Sequence, residues 1–229
     1  ALLSANGRTP EIALIFGDHP DPDVPLTQFA SDMHRDWGMS AEQVIAGRRH
    51  EESVASLTLG SCDRYLPFRD AIYRGDQYTS DPELFGTPKE GDTGVPAQIR
   101  ASLPISDNDR GHLRVYAPLG VGHHVDHQLA FQTGVDMAKD GWEVWFYEDL
   151  PYSLKPENID KRHPELTALG LAPTTIVDVN AAWQKKIDAI MAYPSQLPTI
   201  FGQYVGVDSN REEIDEAMSA YARSVGDGT

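Results

Sequence analysis

The sequence predicts an α/β fold with a mostly parallel sheet covered by helices on both faces, and three observations predict it. Short apolar runs alternate with longer segments of helical periodicity, the order expected of strands joined by crossover helices. Helical segments repeatedly end at glycine, at Gly7, Gly38, Gly60 and Gly141. The 229 residues, 40% of them hydrophobic, suit one good-sized domain over residues 1–229, with no repeat, low-complexity tract or linker to divide it.

The elements follow in order. "ALLSANG" reads as the last turn of a helix closed by Gly7, and "EIALIF" as a buried strand. A domain rarely begins with a helix end, so the reading expects an upstream strand and the start of that helix before Ala1. An acidic, proline-rich loop, "GDHPDPDVP", leads into the helix "LTQFASDMHRDWG". Ser40 with Gln43 forms a capping-box pattern at the head of the helix that ends at Gly60. "DRYLPF" is a short strand leading to Asp70, residues 71–96 read as a long loop, and "VPAQIRASL" has helical character. "HLRVYAPLG" is a strand, "DHQLAFQTGVDMAKDG" a helix, and "EVWFYEDL" and "TTIVDV" are further strands. "NAAWQKKIDAIMAY" is a helix with Asn180 as its N-cap, and "REEIDEAMSAYARSV" is a final exposed helix.

Composition excludes several functions. Nineteen Lys and Arg face 35 Asp and Glu, a formal charge of −16, and the basic residues are scattered. Nucleic-acid binding needs a basic face, so it is not expected. No apolar run approaches the roughly 20 residues that span a bilayer, so no membrane partner is expected. One cysteine, Cys62, rules out an intrachain disulfide and a cysteine-rich zinc knuckle. With no signal peptide at the start as given, a cytoplasmic location is the default.

The chemistry concentrates in "PLGVGHHVDHQLAF", where three of the eight histidines surround Asp126. The stretch follows a strand, and in open α/β sheets ligands sit beyond the carboxyl ends of the strands. Gly120 and Gly122 allow a tight turn there. A helix starting near His124 puts His124 and His127 three residues apart on one face, the spacing of a metal or proton-transfer site. The plain alternative is a histidine-rich surface loop.

These residues resemble the second signature of the PIG-L or LmbE-like metal-dependent deacetylases, a His-Pro-Asp-His run that stands here as His124-Val125-Asp126-His127. "RRHEESVASLTLG" is similar to that family's Arg-x-x-Glu helix, through Arg48, Glu51, Ala55, Leu59 and Gly60, and "YLPFRDAIYR" to its short strand followed by an aspartate, Asp70. "VWFYEDLPY" and "WQKKIDAIMAYPSQL" extend the match over most of the chain. The resemblance implies a Rossmann-like fold, apparently lacking its first strand here. It implies removal of acetyl groups from N-acetylated sugars and related small molecules, and one divalent metal, usually zinc. His127 would be a metal ligand, His124 would steady the oxyanion, and Asp126 would orient an imidazole. Arg48 would reach the substrate, and Asp70 would stand at the substrate site. Without the resemblance, Arg48 and Glu51 form a surface pair, Asp70 caps its own turn, and Trp142, Trp145, Phe146 and Tyr147 belong to the core. The family's remaining ligands, a His and an Asp, come from a His-Pro-Asp-Asp motif, which the resemblance locates upstream of Ala1. His19-Pro20-Asp21 imitates that motif, but Pro22 replaces the second aspartate and the run stands too near the Arg-x-x-Glu helix. His19 and Asp21 are therefore expected not to be ligands. The competing reading is a non-catalytic small-molecule-binding protein of the same fold that has lost its metal site. A homo-oligomer is compatible with either.

Overall fold

The computed structural model describes residues 1–226 as a mixed α/β chain with short strands. Its contacts gather into two compact units. One contains Ala1–Ile12, Val44–Arg64 and the chain from Leu150 onward; the other contains Ala13–Gln43 and Tyr65–Asp149.

The second unit carries the histidine cluster. Strands β1 (Glu11–Leu14) and β2 (Cys62–Tyr65) pair with one another, and the chain changes unit within both. Strands β3 (Arg114–Pro118) and β4 (Glu143–Tyr147) pair in parallel, from Arg114 opposite Glu143 to Pro118 opposite Tyr147. The crossover between them is helix α6 (Val125–Lys139). Gly134 brings this helix close to the strands: a Cβ there would lie 2.8 Å from the Ala117 Cβ and 2.9 Å from the Phe146 ring. Helix α5 (Val95–Ser102) packs on α6, and Ile99, Leu129, Phe131 and Met137 are buried in this unit. Each such side chain contributes about 1.5–3 kcal/mol when fully buried.

Helix α2 (Gln28–Trp37) begins at Thr27, whose hydroxyl accepts the Ala30 N–H, and ends at left-handed Gly38. Helix α3 (Ala41–Leu59) starts with the expected reciprocal cap: the Ser40 N–H donates to Gln43 Oε1 at 2.9 Å, and the Gln43 N–H to Ser40 Oγ at 3.3 Å.

In the first unit α1 (Leu2–Ala5) is one turn, with Gly7 left-handed just beyond it. Helices α7 (Pro156–Ala168), α8 (Trp183–Ile190) and α9 (Arg211–Gly226) follow, with a π-helical segment, Pro198–Val205, before the last. Ile187, Leu197, Phe201, Ile214 and Met218 form this unit's core. Ile214 and Met218, four apart, give α9 its buried stripe.

Several expectations fail. "EIALIF" is not a buried strand, its residues being half-buried or exposed. "TTIVDV" is irregular chain, with Ile176 67% and Val177 52% exposed. β-branched residues favour a strand only where a neighbour pairs with it. The loop over 71–96 is instead broken by short turns: 3-10 turns at Ala71–Tyr73, capped by Asp70, and at Glu90–Asp92, with α4 (Asp81–Leu84) between them. Asn180 begins a 3-10 turn, and α8 starts at Trp183 without a side-chain cap. Trp142 is buried as expected, but Tyr147 at the end of β4 is 51% exposed.

Candidate active site

The site is built at the carboxyl end of β3. After Pro118 the chain turns through Gly120 and Gly122, at φ of 72° and 91°, and through His123 at 63°. All three are left-handed conformations, open to glycine at little steric cost and uncommon for histidine. The turn delivers His124 to the N-cap of α6, where its Nδ1 accepts the Asp126 N–H at 3.3 Å. His124 and His127 then stand side by side, ring centroids 5.6 Å apart, and the Phe85 ring meets His124 edge-on at 5.4 Å.

His127 is held by a residue just beyond the end of the neighbouring strand. Its Nδ1 lies 2.7 Å from Oδ1 of buried Asp149, whose Oδ2 accepts the Val121 N–H at 3.1 Å. One carboxylate thus ties the end of β4 to both the glycine turn and the imidazole. Burial pulls the His127 ring's pKa down, but the Asp149 bond and charge, with the charges of Asp126 and Asp70, outweigh it and raise the pKa above the ordinary histidine value.

These bonds assign opposite tautomers to the two rings. His124 accepts at Nδ1, so its proton is on Nε2 and that atom is a donor. His127 points Nδ1–H at a carboxylate, so in the neutral ring it is Nε2 that carries the lone pair, and the carboxylate makes the ring more basic. The cluster therefore presents one donor and one electron-pair site.

Asp126 is placed differently from the expectation. Its carboxylate pairs with Arg74 Nη2 at 2.7 Å and accepts the Ala71 N–H at 3.2 Å. The imidazole-orienting bond expected of it is made by Asp149, because the first turn of α6 aims Asp126 at the Ala71–Arg74 segment. Burial, then repulsion from Asp70, raises the Asp126 carboxyl above the usual range, against the pull of Arg74. Asp70 caps the Ala71–Tyr73 turn, its Oδ1 accepting the Ile72 N–H at 3.2 Å. Arg48 is a half-buried residue of α3 in the first unit. There its neighbour Glu51 accepts the Ser195 N–H at 2.8 Å and hydroxyl at 2.7 Å, holding the 193–196 turn.

His19 is exposed, and its carbonyl accepts from Arg69 Nε at 3.2 Å, while Asp21 pairs with Arg69 at 3.2 Å. Among the described residues no three His, Cys, Asp or Glu side chains gather as a metal site. The donor chemistry fits a metal at one arm: His127 has the carboxylate-backed imidazole of a metal ligand, and a full coordination shell is not assembled around it.

Sequence reasoning missed Asp149, Arg74, Phe85 and Gln128. The last donates from Nε2 to both the Gly86 and His123 carbonyls at 2.6 Å. Asp149 had a signal, since it follows the strand "EVWFY" as the histidines follow theirs.

No family model matches the chain. It is similar to a 2'-N-acetylparomamine deacetylase of Streptomyces fradiae, 31% identical over 198 residues that span 85% of this chain and 67% of the relative. A second 2'-N-acetylparomamine deacetylase, from Niallia circulans, is 26% identical over 219 residues, 88% of this chain and 75% of the relative. Among solved structures, a deacetylase of the teicoplanin biosynthesis pathway superposes with a TM-score of 0.72 at 19% identity, covering 100% of this chain and 86% of that one. The zinc-inhibited form of teicoplanin deacetylase gives 0.69 at 19%, covering 98% and 85%. The A40926 pseudoaglycone deacetylase gives 0.65 at 21%, covering 97% and 82%. The structural likenesses establish a shared fold.

Proposed function

The chain belongs to the family of the 2'-N-acetylparomamine deacetylases, and from that premise we propose that it hydrolyses the acetamido group of an N-acetylated amino sugar, releasing acetate and the free amine. The observation that carries the proposal is the pair of oppositely tautomeric histidines at a strand-to-helix turn, in a chain 31% identical to such an enzyme. We place the chain within the wider PIG-L or LmbE-like group, with a Rossmann-like sheet, on the strength of the His124-Val125-Asp126-His127 run and the Arg48-x-x-Glu51 helix. Asp70 is its substrate-side residue in this reading.

His127 is the residue that would hold a divalent metal, its nitrogen donor suiting zinc among other borderline metals. Such an ion supplies a polarised carbonyl and a more acidic water when bound. The chain's own groups do the rest. His124 Nε2–H is a neutral donor beside the positive end of the α6 dipole, suited to the negative charge that develops on the acetyl oxygen. Asp149 keeps the His127 lone pair on Nε2 by holding the proton at Nδ1.

The test is direct. The purified chain, with and without added zinc, is incubated with 2'-N-acetylparomamine, and acetate is measured. The expected result is release in step with free amine; release at the rate of a protein-free control refutes the reading. In zinc titration by calorimetry, His127→Ala is expected to lose binding, and retention at the parent's stoichiometry removes His127 as a ligand.

A further inference from the structure

Arg74 sits in a place where a guanidinium is costly. Its side chain is 11% exposed, and its partners Asp92 and Asp126 are 2% and 7% exposed. Removing charges from water exceeds the attraction between them unless the geometry is good, and apolar side chains in place of the whole cluster often fill such a space at least as stably. The geometry here is elaborate. Nη2 lies 2.7 Å from Asp126 Oδ1 and 3.2 Å from Asp92 Oδ2, and Nη1 donates to the Arg69 carbonyl at 3.1 Å. The guanidinium lies against two rings, 5.3 Å from the Phe16 centroid and 5.2 Å from that of Tyr78. The Tyr78 hydroxyl donates to Asp92 at 2.7 Å and accepts the Lys89 N–H at 2.8 Å.

All of this converges on the first turn of α6. Asp126 accepts the Ala71 N–H with Oδ2 and meets Arg74 with Oδ1 as an ion pair, while its backbone N–H is given to His124 Nδ1. A short chain of bonds therefore runs from the buried cation through Asp126 to the ring of His124. We propose that Arg74 is a positioning residue of the deacetylation, holding His124 in its donor tautomer and orientation through Asp126. The inference rests on the deacetylase reading for its effect on rate, and on geometry alone for its effect on His124.

Arg74→Lys keeps the charge but replaces a planar fork, whose Nη2 meets both carboxylates while Nη1 reaches the Arg69 carbonyl, by a single point charge. Its expected effect is a fall in kcat of tenfold or more, with KM within threefold of the parent. Arg74→Lys combined with Asp126→Asn is expected to be within threefold of the slower single variant, because both interrupt one chain of bonds. Independent of activity, nitrogen NMR of the labelled imidazoles is expected to show His124 as a single Nε2–H tautomer in the parent and as an averaged mixture in Arg74→Lys. Parental kcat in Arg74→Lys overturns the proposal. So does a fall in kcat with unchanged His124 resonances, which marks a merely structural residue, or a double variant slowed by the product of the two single effects. If the parent releases no acetate from any N-acetylated amino sugar, the deacetylase reading fails, and the His124 resonances alone decide on Arg74: averaging in the variant supports it, and no change overturns it.

Discussion

Replacing Asp149 separates its structural work from its chemical work. Asp149→Ala removes two accepted hydrogen bonds. The Val121 N–H at 3.1 Å is buried and would be left without its acceptor, which costs about 1–3 kcal/mol. The His127 bond is short, at 2.7 Å, but that side chain is 38% exposed, so solvent screening limits its share to about 0.5–1 kcal/mol. The expected loss is thus about 1.5–4 kcal/mol. Asp149→Asn keeps the shape and one acceptor for Val121, so its stability is expected within about 1 kcal/mol of the parent. Its amide now donates to His127 Nδ1, which must become the acceptor, and the ring proton moves to Nε2. The electron-pair site is lost, and kcat/KM on 2'-N-acetylparomamine is expected to fall about 10- to 100-fold, the usual effect of losing an imidazole's outer partner. Urea unfolding measures the first quantity and acetate release the second. A stable Asp149→Asn protein with parental kcat/KM would refute the tautomer argument. Comparable unfolding midpoints for the Ala and Asn variants would refute the assignment of most of the cost to Val121.

Three further outcomes are expected. His124→Ala should lower kcat about 100-fold or more, as loss of one oxyanion donor does, and cost about 0.5–1 kcal/mol in urea unfolding, because a cap bond of 3.3 Å is lost with it; parental kcat would exclude it from charge stabilisation. Gly134→Val should lower stability by about 2 kcal/mol, since contacts of 2.8 and 2.9 Å at the Cβ fall well inside the optimum of about 3.5–4 Å; an unchanged urea midpoint would show that α6 is not so close to the sheet. Glu83 has its carboxyl lowered to about 2 by Lys89, then by the Thr79 N–H and hydroxyl. Its stabilisation is therefore present above its ordinary value of 4.5 and is lost as pH falls toward 2. Glu83→Gln should flatten the dependence of Tm on pH across that window, and an unchanged slope would count against the pairing.

The sequence by itself determined what is local. Periodicity found α2, α3, α6 and α9, and the Ser40–Gln43 box and Gly38 marked helix ends, because caps and faces depend on residues within a turn of one another. It also located His124 and His127 at the head of a helix after a strand, since three-residue spacing fixes a shared face whatever surrounds it. It erred at "TTIVDV", where a strand needs a pairing partner that composition cannot supply. What the tertiary structure alone decided is which carboxylate each histidine meets. Asp126 stands beside His127 in the sequence, yet Asp149, 22 residues away, holds the ring, because β3 and β4 pair in parallel and bring their carboxyl ends together. Asp126 is turned instead to Arg74, 52 positions earlier, across a contact that no local pattern encodes. Tautomers follow from such long-range bonds, so the chemistry of the two imidazoles was set by the packing of the chain and not by the run of residues that contains them.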